Sequence, residues 1–389
     1  MASALVTDAR LIMSLPIIRS LGRAGISVRA LETREHLKRP ALGFYSRYTA
    51  KRILCDELPE RLSEEAAKVD AVFPVSGNSV YCAARLAADE TFRSKVALPE
   101  LSAIQLANDK AQLNELAKAL GIPVPETFHP ERQVDLDAPS QVVQRELQAW
   151  ARGLTYPAIV KYRYGEELHL PTHKRYRVVR DADEFAKSYL EIHSAQPFPV
   201  VQEYLPGEDY GAAVLCDKSS RVVAAFTYKS LRQRPKEGGP TSYAVSQAIP
   251  QLVSSLSKIC SALNWYGVAM ADFRMGQNAQ FKLLEINPRF WGSLALAVEA
   301  GVDFPLLYYH LVKRHGELDI PAPEQRDGVT IKFFIQDLFA VTQYAKTMPS
   351  PLKYALRETL RILSPRIKDA VFKLNDPGPG LAYLLGLFF

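Results

Sequence analysis

The chain has 389 residues, of which 48% are hydrophobic and 23% are charged, and its formal net charge is +6. This length exceeds what one core usually supports, so it predicts two or three domains of a folded, soluble protein. No apolar run reaches about 18 residues, which excludes a membrane-spanning helix. The modest positive charge indicates anionic ligands without selecting nucleic acid over a nucleotide.

The cysteines stand far apart and form no CxxC pair: Cys55, Cys82, Cys216 and Cys260. This spacing favours a reducing compartment over disulfides or a zinc site. No N-terminal stretch combines basic residues with an apolar run long enough for a signal peptide. We therefore expect a cytoplasmic protein.

The first hundred residues alternate between strand-like and helix-like segments. The pattern predicts strands at 4–6, 26–31 and 71–75, and helices at 11–23 and 80–88. This βαβ order predicts a parallel sheet that binds ligands at the carboxyl ends of its strands. A GxGxxG run is missing, so a dinucleotide site is not expected.

A helix is predicted over residues 101–120, where apolar residues recur at helical spacing before Gly121 stops the pattern. Asn108 and Asp109 precede Lys110, which suggests that Lys110 lies near a helix start. Residues 155–205 predict a small α/β unit with strands at 156–161, 176–179 and 200–204 and a helix at 183–192. Lys161 ends the apolar run of the first of these strands. A lysine in that position needs an anionic partner, and phosphate oxygens are one such partner.

Residues 222–242 predict a strand followed by a basic, glycine-containing loop. Its charged side chains could grip a carboxylate or an acyl phosphate, and two adjacent glycines would let the backbone approach a ligand closely. A solvated loop is the alternative interpretation. The substrate candidates here are Lys229, Arg232, Gly238 and Gly239.

The most informative stretch is a hairpin predicted around a turn at residues 276–279. Side chains on a strand alternate faces, so Asp272, Arg274, Glu285 and Asn287 are expected on one face of the sheet. Two carboxylates and an amide oxygen suit Mg²⁺, which prefers one or two carboxylates together with substrate phosphates. A solvated hairpin face is the alternative. A shift of the turn by one residue would move Asp272 to the other face of the sheet.

Four segments in this order resemble the ATP-grasp superfamily, in the branch of carbamoyl-phosphate synthetase and the carboxylate–amine ligases. They are residues 108–127, 156–165, 200–215 and 272–289. The resemblance covers roughly residues 1–310. It implies a multidomain α/β and α+β chain, with an N-terminal Rossmann-like, parallel-sheet (pre-ATP-grasp) domain followed by a two-lobed ATP-grasp fold.

The resemblance also implies a set of ligand contacts. It places Lys110 on the α-phosphate, Asp209 on the ribose, and the loop of residues 163–177 over the triphosphate. Ser76 and Asn78 are implied substrate contacts, although both are ordinary turn and cap residues by themselves. The residues expected to line the adenine are Gln202, Glu203, Tyr204 and Leu205.

The expected function is an ADP-forming carboxylate–amine ligase that uses ATP and Mg²⁺ or Mn²⁺ and forms an amide or peptide bond through an acyl phosphate. Lys161, Arg274 and Arg289 are the implied catalytic residues, and Asp272, Glu285 and Asn287 the implied metal ligands. Phosphoryl transfer depends mostly on positioning and charge neutralisation, which explains why no Ser-His-Asp arrangement is needed. A carboxylase or carbamoyl-phosphate-type enzyme, a kinase-like enzyme and a non-catalytic ATP-binding regulator stay open as alternatives.

The predicted domains are residues 1–100, an ATP-grasp domain at 101–325 with a lid at about 122–204, and a helical extension at 326–389. The extension contains a basic amphipathic stretch, for which packing as a helical hairpin is expected and contact with a membrane surface is the alternative. The expected partners are a small-molecule carboxylate and amine, with no nucleic acid and no membrane span. A homodimer is the expected assembly.

Overall fold

A computed structural model describes residues 1–128, 140–164, 175–236, 238–276, 278–364 and 366–387. The chain divides into two compact units. Unit 1 comprises Met1–Gln105, Asp209–Asp272 and Ile286–Phe389, and unit 2 comprises Leu106–Glu208 and Phe273–Glu285. The division into three domains at residues 100 and 325 stays a prediction.

Unit 1 begins with a parallel sheet in the order β3-β2-β1-β4. Leu5 and Val6 enter separate hydrophobic clusters on its opposite faces, because neighbouring strand residues point to opposite sides. Burial on both faces is typical of a parallel sheet, as predicted. The elements are β1 (Ser3–Val6), α1 (Ser14–Arg23), β2 (Ser27–Thr33), β3 (Thr49–Cys55), α2 (Leu58–Ala66), β4 (Ala71–Phe73), α3 (Gly77–Leu86) and α4 (Glu90–Arg93), with 3₁₀ turns at Arg34–His36 and Leu42–Tyr45.

The prediction of one helix over residues 101–120 is wrong, because the chain forms α5 (Leu101–Asn108) and α6 (Lys110–Ala119) instead. Asp109 separates them in an extended conformation, and its carboxylate accepts hydrogen bonds from the Ala111 and Gln112 N–H groups at 3.0 and 3.2 Å. An aspartate in this role caps the start of a helix. Lys110 is therefore the first residue of α6, as the sequence suggested.

Unit 2 is built around an antiparallel sheet in the order β5-β8-β6-β7, and its strands and helix α8 confirm the elements predicted between residues 155 and 205. Leu147, Val160, Phe185 and Ile192 form the buried core between the sheet and two helices. The elements that follow α6 are β5 (Thr127–Phe128), α7 (Ser140–Ala151), β6 (Ala158–Lys161), β7 (Tyr176–Val179), α8 (Ala182–Ala195) and β8 (Val200–Glu203).

The larger sheet has the order β13-β12-β9-β10-β11-β14-β15 over the described residues. The predicted hairpin is formed by β12 and β13, and the Gly276 N–H donates to the Gln280 carbonyl at 3.2 Å across its turn. The elements are β9 (Glu208–Cys216), β10 (Val222–Gln233), β11 (Thr241–Ser246), α9 (Pro250–Ala262), β12 (Gly267–Met275), β13 (Phe281–Asn287), α10 (Leu294–Glu299), α11 (Phe304–Lys313) and β14 (Thr330–Lys332).

The C-terminal segment contains α12 (Phe334–Ala345), α13 (Pro351–Ile362), β15 (Lys368–Asp369) and α14 (Gly378–Leu385). It is not helical throughout, because β15 pairs in parallel with β14. Arg19 of α1 ties this segment to the N-terminal region by donating to the Asp376 carboxylate at 2.8 Å and to the Ala370 and Val371 carbonyls. Within the described ranges, no helix is long and apolar enough to cross a membrane.

Candidate functional site

The start of α6 places Lys110 against the acidic residue of the hairpin within unit 2. The Lys110 Nζ lies 3.1 Å from the Glu285 Oε2. Asp109 fixes the preceding turn, because its carboxylate also accepts two bonds from the Arg163 guanidinium, at 2.7 and 2.6 Å, and one from the Tyr164 hydroxyl at 3.0 Å. Burial favours a raised pKa for Asp109, but the hydrogen bonds from Arg163 and its other donors prevail and lower it. The cap is therefore ionised at neutral pH.

A second lysine joins this pair, and we call Lys110, Lys161 and Glu285 the lysine cluster. The positive charge of Lys110 holds the pKa of Glu285 well below its usual range, and Lys161 acts in the same direction. The pKa of Lys161 is lowered to about 8, chiefly by burial; the charges of Lys110 and Arg274 act in the same direction, and Glu285 opposes them. Among the described residues, the Glu285 carboxylate therefore interacts with two ammonium groups, a combination suited to an anion such as a polyphosphate.

The predicted adenine segment lies at the end of β8, at the edge where β5 pairs with it. The Glu203 carboxylate accepts a hydrogen bond from the Lys282 ammonium and another from the Glu126 N–H at 2.8 Å. The buried Gln202 donates from its Nε2 to the Thr127 hydroxyl at 3.0 Å. These contacts fix both side chains, and Lys282 is a neighbour that the sequence did not indicate.

The backbone of the same segment is partly engaged within unit 2. The Glu203 N–H donates to the Glu126 carbonyl at 2.9 Å, and the Tyr204 N–H donates to the Pro157 carbonyl at 3.2 Å. The Leu205 carbonyl accepts from the Arg274 guanidinium at 3.1 Å. Arg274 is therefore positioned by the adenine segment as well as by its own strand.

Two of the predicted metal ligands meet in unit 1. The Asn287 Nδ2 donates to the Asp272 Oδ2 at 3.2 Å, which places both side chains on one face of the hairpin as predicted. The Asn287 Oδ1 accepts from the Arg289 guanidinium at 3.0 Å, and Arg289 also donates to the Phe290 carbonyl at 3.1 Å. Glu285 lies two residues before Asn287 on the same strand.

The oxygen donors that meet in unit 1, the Asp272 carboxylate and the Asn287 amide, are of the kind that a hard divalent cation takes. In unit 2, the lowered pKa of Glu285 keeps that carboxylate ionised. Mg²⁺ takes oxygen ligands and is usually held by one or two carboxylates with phosphates completing its shell. Within the described ranges, no group of three or more His, Cys, Asp or Glu residues could hold a metal ion.

Sequence reasoning missed Tyr228, a buried residue of β10 in unit 1. Burial is the main cause that raises the pKa of its hydroxyl, and the charges of Asp272 and the predicted ribose ligand Asp209 raise it further. Tyr228 therefore stays protonated beside two candidate ligand residues. The signal in the sequence was only a tyrosine inside an apolar strand, which is normally a core residue.

The strand predicted at the start of residues 222–242 is confirmed, and it takes in part of the predicted basic loop, because β10 runs to Gln233. Lys229 pairs across the sheet with Tyr210, and its ammonium lies 5.6 Å from that ring. Gly238 and Gly239 belong to the turn between β10 and β11, and a Cβ on Gly239 would lie 2.1 Å from the Arg234 carbonyl oxygen. The close approach at Gly239 is thus to the turn's own backbone.

Arg232 is buried and ion-paired at the end of β10, whereas the sequence placed it in a basic loop. Its guanidinium donates to the Asp337 carboxylate at 2.8 and 2.6 Å and to Glu358 at 2.7 Å. We call Arg232, Asp337 and Glu358 the arginine triad. This set of bonds favours a structural role for Arg232; its role as a substrate contact stays a prediction.

Ser76 is the N-cap of α3, with its hydroxyl accepting from the Ser79 N–H at 3.1 Å, and Asn78 is exposed in the first turn. The Ser76 N–H donates to the Asp8 carboxylate at 2.9 Å. Arg10 in turn bonds both Asp8 and Glu32, at 3.3 and 2.6 Å. Asp8, Arg10 and Glu32 lie just after a parallel strand or near its end, where α/β sheets bind ligands. Their position at these strand ends is the signal by which the sequence could have identified them.

Residues 196–333 match the sequence profile of a family described as "ATP-grasp in the biosynthetic pathway with Ter operon". No similar sequence was found among curated proteins. This chain shares 17% identity with biotin carboxylase of Campylobacter jejuni, solved as a β-γ-ATP complex, at a TM-score of 0.64 covering 83% of this chain and 73% of that one.

Two further solved structures are similar over comparable lengths. N5-carboxyaminoimidazole synthetase of Staphylococcus aureus gives a TM-score of 0.63 at 17% identity, covering 83% of this chain and 80% of that one. The biotin carboxylase domain of the Hydrogenobacter thermophilus 2-oxoglutarate carboxylase, solved with MgADP, ADP and bicarbonate, gives 0.63 at 15% identity, covering 84% and 73%. At these identities the similarity concerns the fold, and it confirms the predicted fold class.

Proposed function

We propose that this chain, an ATP-grasp protein by its fold and by the family match of residues 196–333, is an ATP-dependent ligase that joins a carboxylate to an amine and releases ADP and phosphate. The observation that carries the proposal is the lysine cluster, in which Lys110 and Lys161 converge on the single carboxylate of Glu285. Their excess positive charge matches the phosphates of ATP. A cytoplasmic, homodimeric protein is part of the proposal, and the buried, unpaired state of all four cysteines supports a reducing compartment.

Lys110 and Lys161 neutralise phosphate charge in the proposed mechanism, while Gln202 to Leu205 hold the adenine and Asp209 the ribose. Asp272, Glu285 and Asn287 would hold Mg²⁺ or Mn²⁺, which when bound offsets the negative charge of the phosphates. In the protein without ligands, Lys110 already forms an ion pair with Glu285. This lysine is therefore held beside a proposed metal ligand, where it would also meet the phosphates.

The proposed reaction has two steps. A carboxylate oxygen of the substrate attacks the γ-phosphorus of ATP, the bond to the β–γ bridging oxygen breaks, and ADP leaves with that electron pair. The amine nitrogen then attacks the acyl carbon, the carbon–oxygen bond to phosphate breaks, and the nitrogen loses a proton. Arg289 and Arg274 are positioned by hydrogen bonds to Asn287 and Leu205, and they stabilise the negative charge that develops on the reacting oxygens.

Carboxylation is a second candidate function, because the proteins of similar fold include a biotin carboxylase and an N5-carboxyaminoimidazole synthetase. In that case bicarbonate would be the carboxylate that takes the γ-phosphate, and the amine would receive the carboxyl group. The chemistry demanded of Lys110, Lys161 and the arginines would be the same. The two candidates differ only in the acid consumed.

The test is nucleotide turnover with Mg²⁺ across a panel of carboxylates, including bicarbonate, each paired with amines, while ADP is separated from AMP. We expect ADP and phosphate to form only with a particular pair. Turnover that requires bicarbonate would favour the carboxylase. Formation of AMP would contradict the acyl-phosphate mechanism, and ADP formation with transfer of phosphate to a stable product would indicate a kinase.

Substitution of the lysine cluster tests the assignment of residues. Lys161→Ala and Glu285→Gln should each lower turnover by about a hundredfold to a thousandfold or more, the loss seen when one preorganised electrostatic group is removed. The matched controls are Lys118→Ala and Glu115→Gln, which alter an exposed ion pair of α6 whose atoms lie 3.2 Å apart. Near-normal turnover in either cluster variant, with both controls active and folded, would contradict the assignment.

A further inference from the structure

Helix α13 carries an apolar stripe that the protein does not bury. Leu352, Leu356, Leu360 and Leu363 have relative exposures between 59% and 87%. Their spacing of four, four and three residues places them on one face, because an α-helix completes a turn every 3.6 residues. Exposed leucines scattered singly are ordinary, whereas a continuous stripe on one helix marks an interaction surface.

The charges of α13 are divided between its faces. Its acidic residue, Glu358, is buried and accepts a hydrogen bond from Arg232 at 2.7 Å, with the buried Ile362 on the same inward side. The exposed charged residues of the helix are Lys353, Arg357 and Arg361. At 100° per residue these cations border the leucine stripe on one side, so the outward surface of α13 combines apolar and positive groups.

We propose that α13 docks on an anionic lipid surface, with its leucine stripe in the headgroup region and Lys353, Arg357 and Arg361 against lipid phosphates. An amphipathic helix with leucines on one face and lysines and arginines beside it is the pattern that lies in the plane of a bilayer interface. Glu358 does not oppose an anionic surface, because its carboxylate is neutralised by Arg232 at 2.7 Å, by Arg357 at 3.0 Å and by Arg361 at 3.9 Å.

The positive charge beside the leucine stripe favours an anionic lipid surface over a second copy of the chain as the partner of α13. A symmetric dimer through the stripe would use the same patch on both copies and would bring two sets of bordering cations together. An anionic lipid surface supplies charges of the opposite sign to the same cations, each worth an appreciable gain in binding near the membrane. The proposal does not depend on the ligase activity, because α13 contributes none of the residues assigned to ATP or the metal.

The experiment is co-sedimentation of the full chain with vesicles of phosphatidylcholine alone and of equal parts phosphatidylcholine and phosphatidylglycerol. We expect binding to the anionic vesicles only, weakening as salt is added. Leu356→Glu should weaken it roughly tenfold or more, since it removes a leucine from the apolar contact. Lys353→Glu should weaken it by roughly fivefold or more.

Helix α8 supplies matched controls, because Lys187 and Leu190 are both exposed on it. Lys187→Glu and Leu190→Glu should leave vesicle binding unchanged. Failure to bind anionic vesicles, or binding that the α13 and α8 variants change equally, would overturn the proposal. Sedimentation velocity without vesicles tests for self-association. Self-association that Leu356→Glu abolishes would overturn the proposal and assign the stripe to a second copy of the chain.

Discussion

Two groups of buried or half-buried charges in this protein are built on opposite principles. In the arginine triad, one guanidinium is bonded by two carboxylates at distances of 2.6 to 2.8 Å, and Arg232, Asp337 and Glu358 are all buried. In the lysine cluster, one carboxylate, that of Glu285, interacts with two ammonium groups, those of Lys110 and Lys161. The triad thus pairs one cation with two carboxylates, whereas the cluster sets two cations against one carboxylate.

The comparison distinguishes charges that stabilise the fold from charges that are arranged to bind a ligand. A buried ion pair with its hydrogen bonds completed stabilises one arrangement of the chain, and removing one partner exposes the full desolvation cost of the other. An incompletely neutralised cluster is costly by itself and is typical of a functional site. Arg232 and Lys161, both chosen from the sequence as ligand contacts, therefore have different expected effects when they are changed.

The largest expected effect is on the triad. Arg232→Met leaves two buried carboxylates without their partner and should lower the free energy of unfolding by about 3–5 kcal/mol, measured by urea denaturation. The control is Arg234→Met, two residues along, where the guanidinium donates to Gln336 at 2.8 Å and packs on Phe339; its cost should be below about 1 kcal/mol. Equal effects of the two variants would contradict the structural role of the triad.

Removal of a lysine and removal of the carboxylate from the lysine cluster should change the free energy of unfolding in opposite directions. The folded state holds the pKa of Lys161 near 8, below its unfolded value, so its charge destabilises the fold below that pH, and the cost fades as pH rises toward the unfolded value. Lys161→Met should therefore raise the free energy of unfolding at pH 7, by on the order of 1 kcal/mol.

Glu285→Gln should instead lower the free energy of unfolding at pH 7, by on the order of 1 kcal/mol, because two lysines lose their counter-charge and the carboxylate is 37% exposed and screened by water. The lowered pKa of Glu285 makes this contribution present above the unfolded pKa and lost as pH falls toward the folded one. Thermal melting of both variants beside the wild type measures the signs. A shift in the same direction for both would show that the cluster is neutralised internally.

The smallest expected effect is on the pH dependence of nucleotide binding. Since the pKa of Lys161 is about 8, the unliganded protein loses this charge as pH rises from 7 to 9, and ATP affinity measured in EDTA should fall by roughly tenfold over that interval. Lys161→Arg keeps its charge and should flatten the profile. Calorimetric titration at several pH values gives both curves; identical slopes would place the titrating group elsewhere.

The sequence predicted those features that depend on local pattern. The βαβ order, the hairpin of β12 and β13 and the position of Lys110 at a helix start follow from alternation, turn residues and capping residues. The break at Asp109 was missed because its carboxylate is also held by Arg163, 54 residues further along. Arg232 was assigned to a basic loop, and its ion pairs were not foreseen, because its partners Asp337 and Glu358 lie 105 and 126 residues away. Pairings at that separation leave no local pattern.

The bond between Arg19 and Asp376, which joins residues 357 apart, has a consequence for synthesis of the chain. Unit 2 has all four strands of its sheet once residue 203 has been made, whereas unit 1 is assembled from three separated stretches. The buried guanidinium of Arg19 gains its carboxylate only after residue 376 has left the ribosome. This ion pair therefore adds to the stability of the N-terminal region only after most of the chain has been translated.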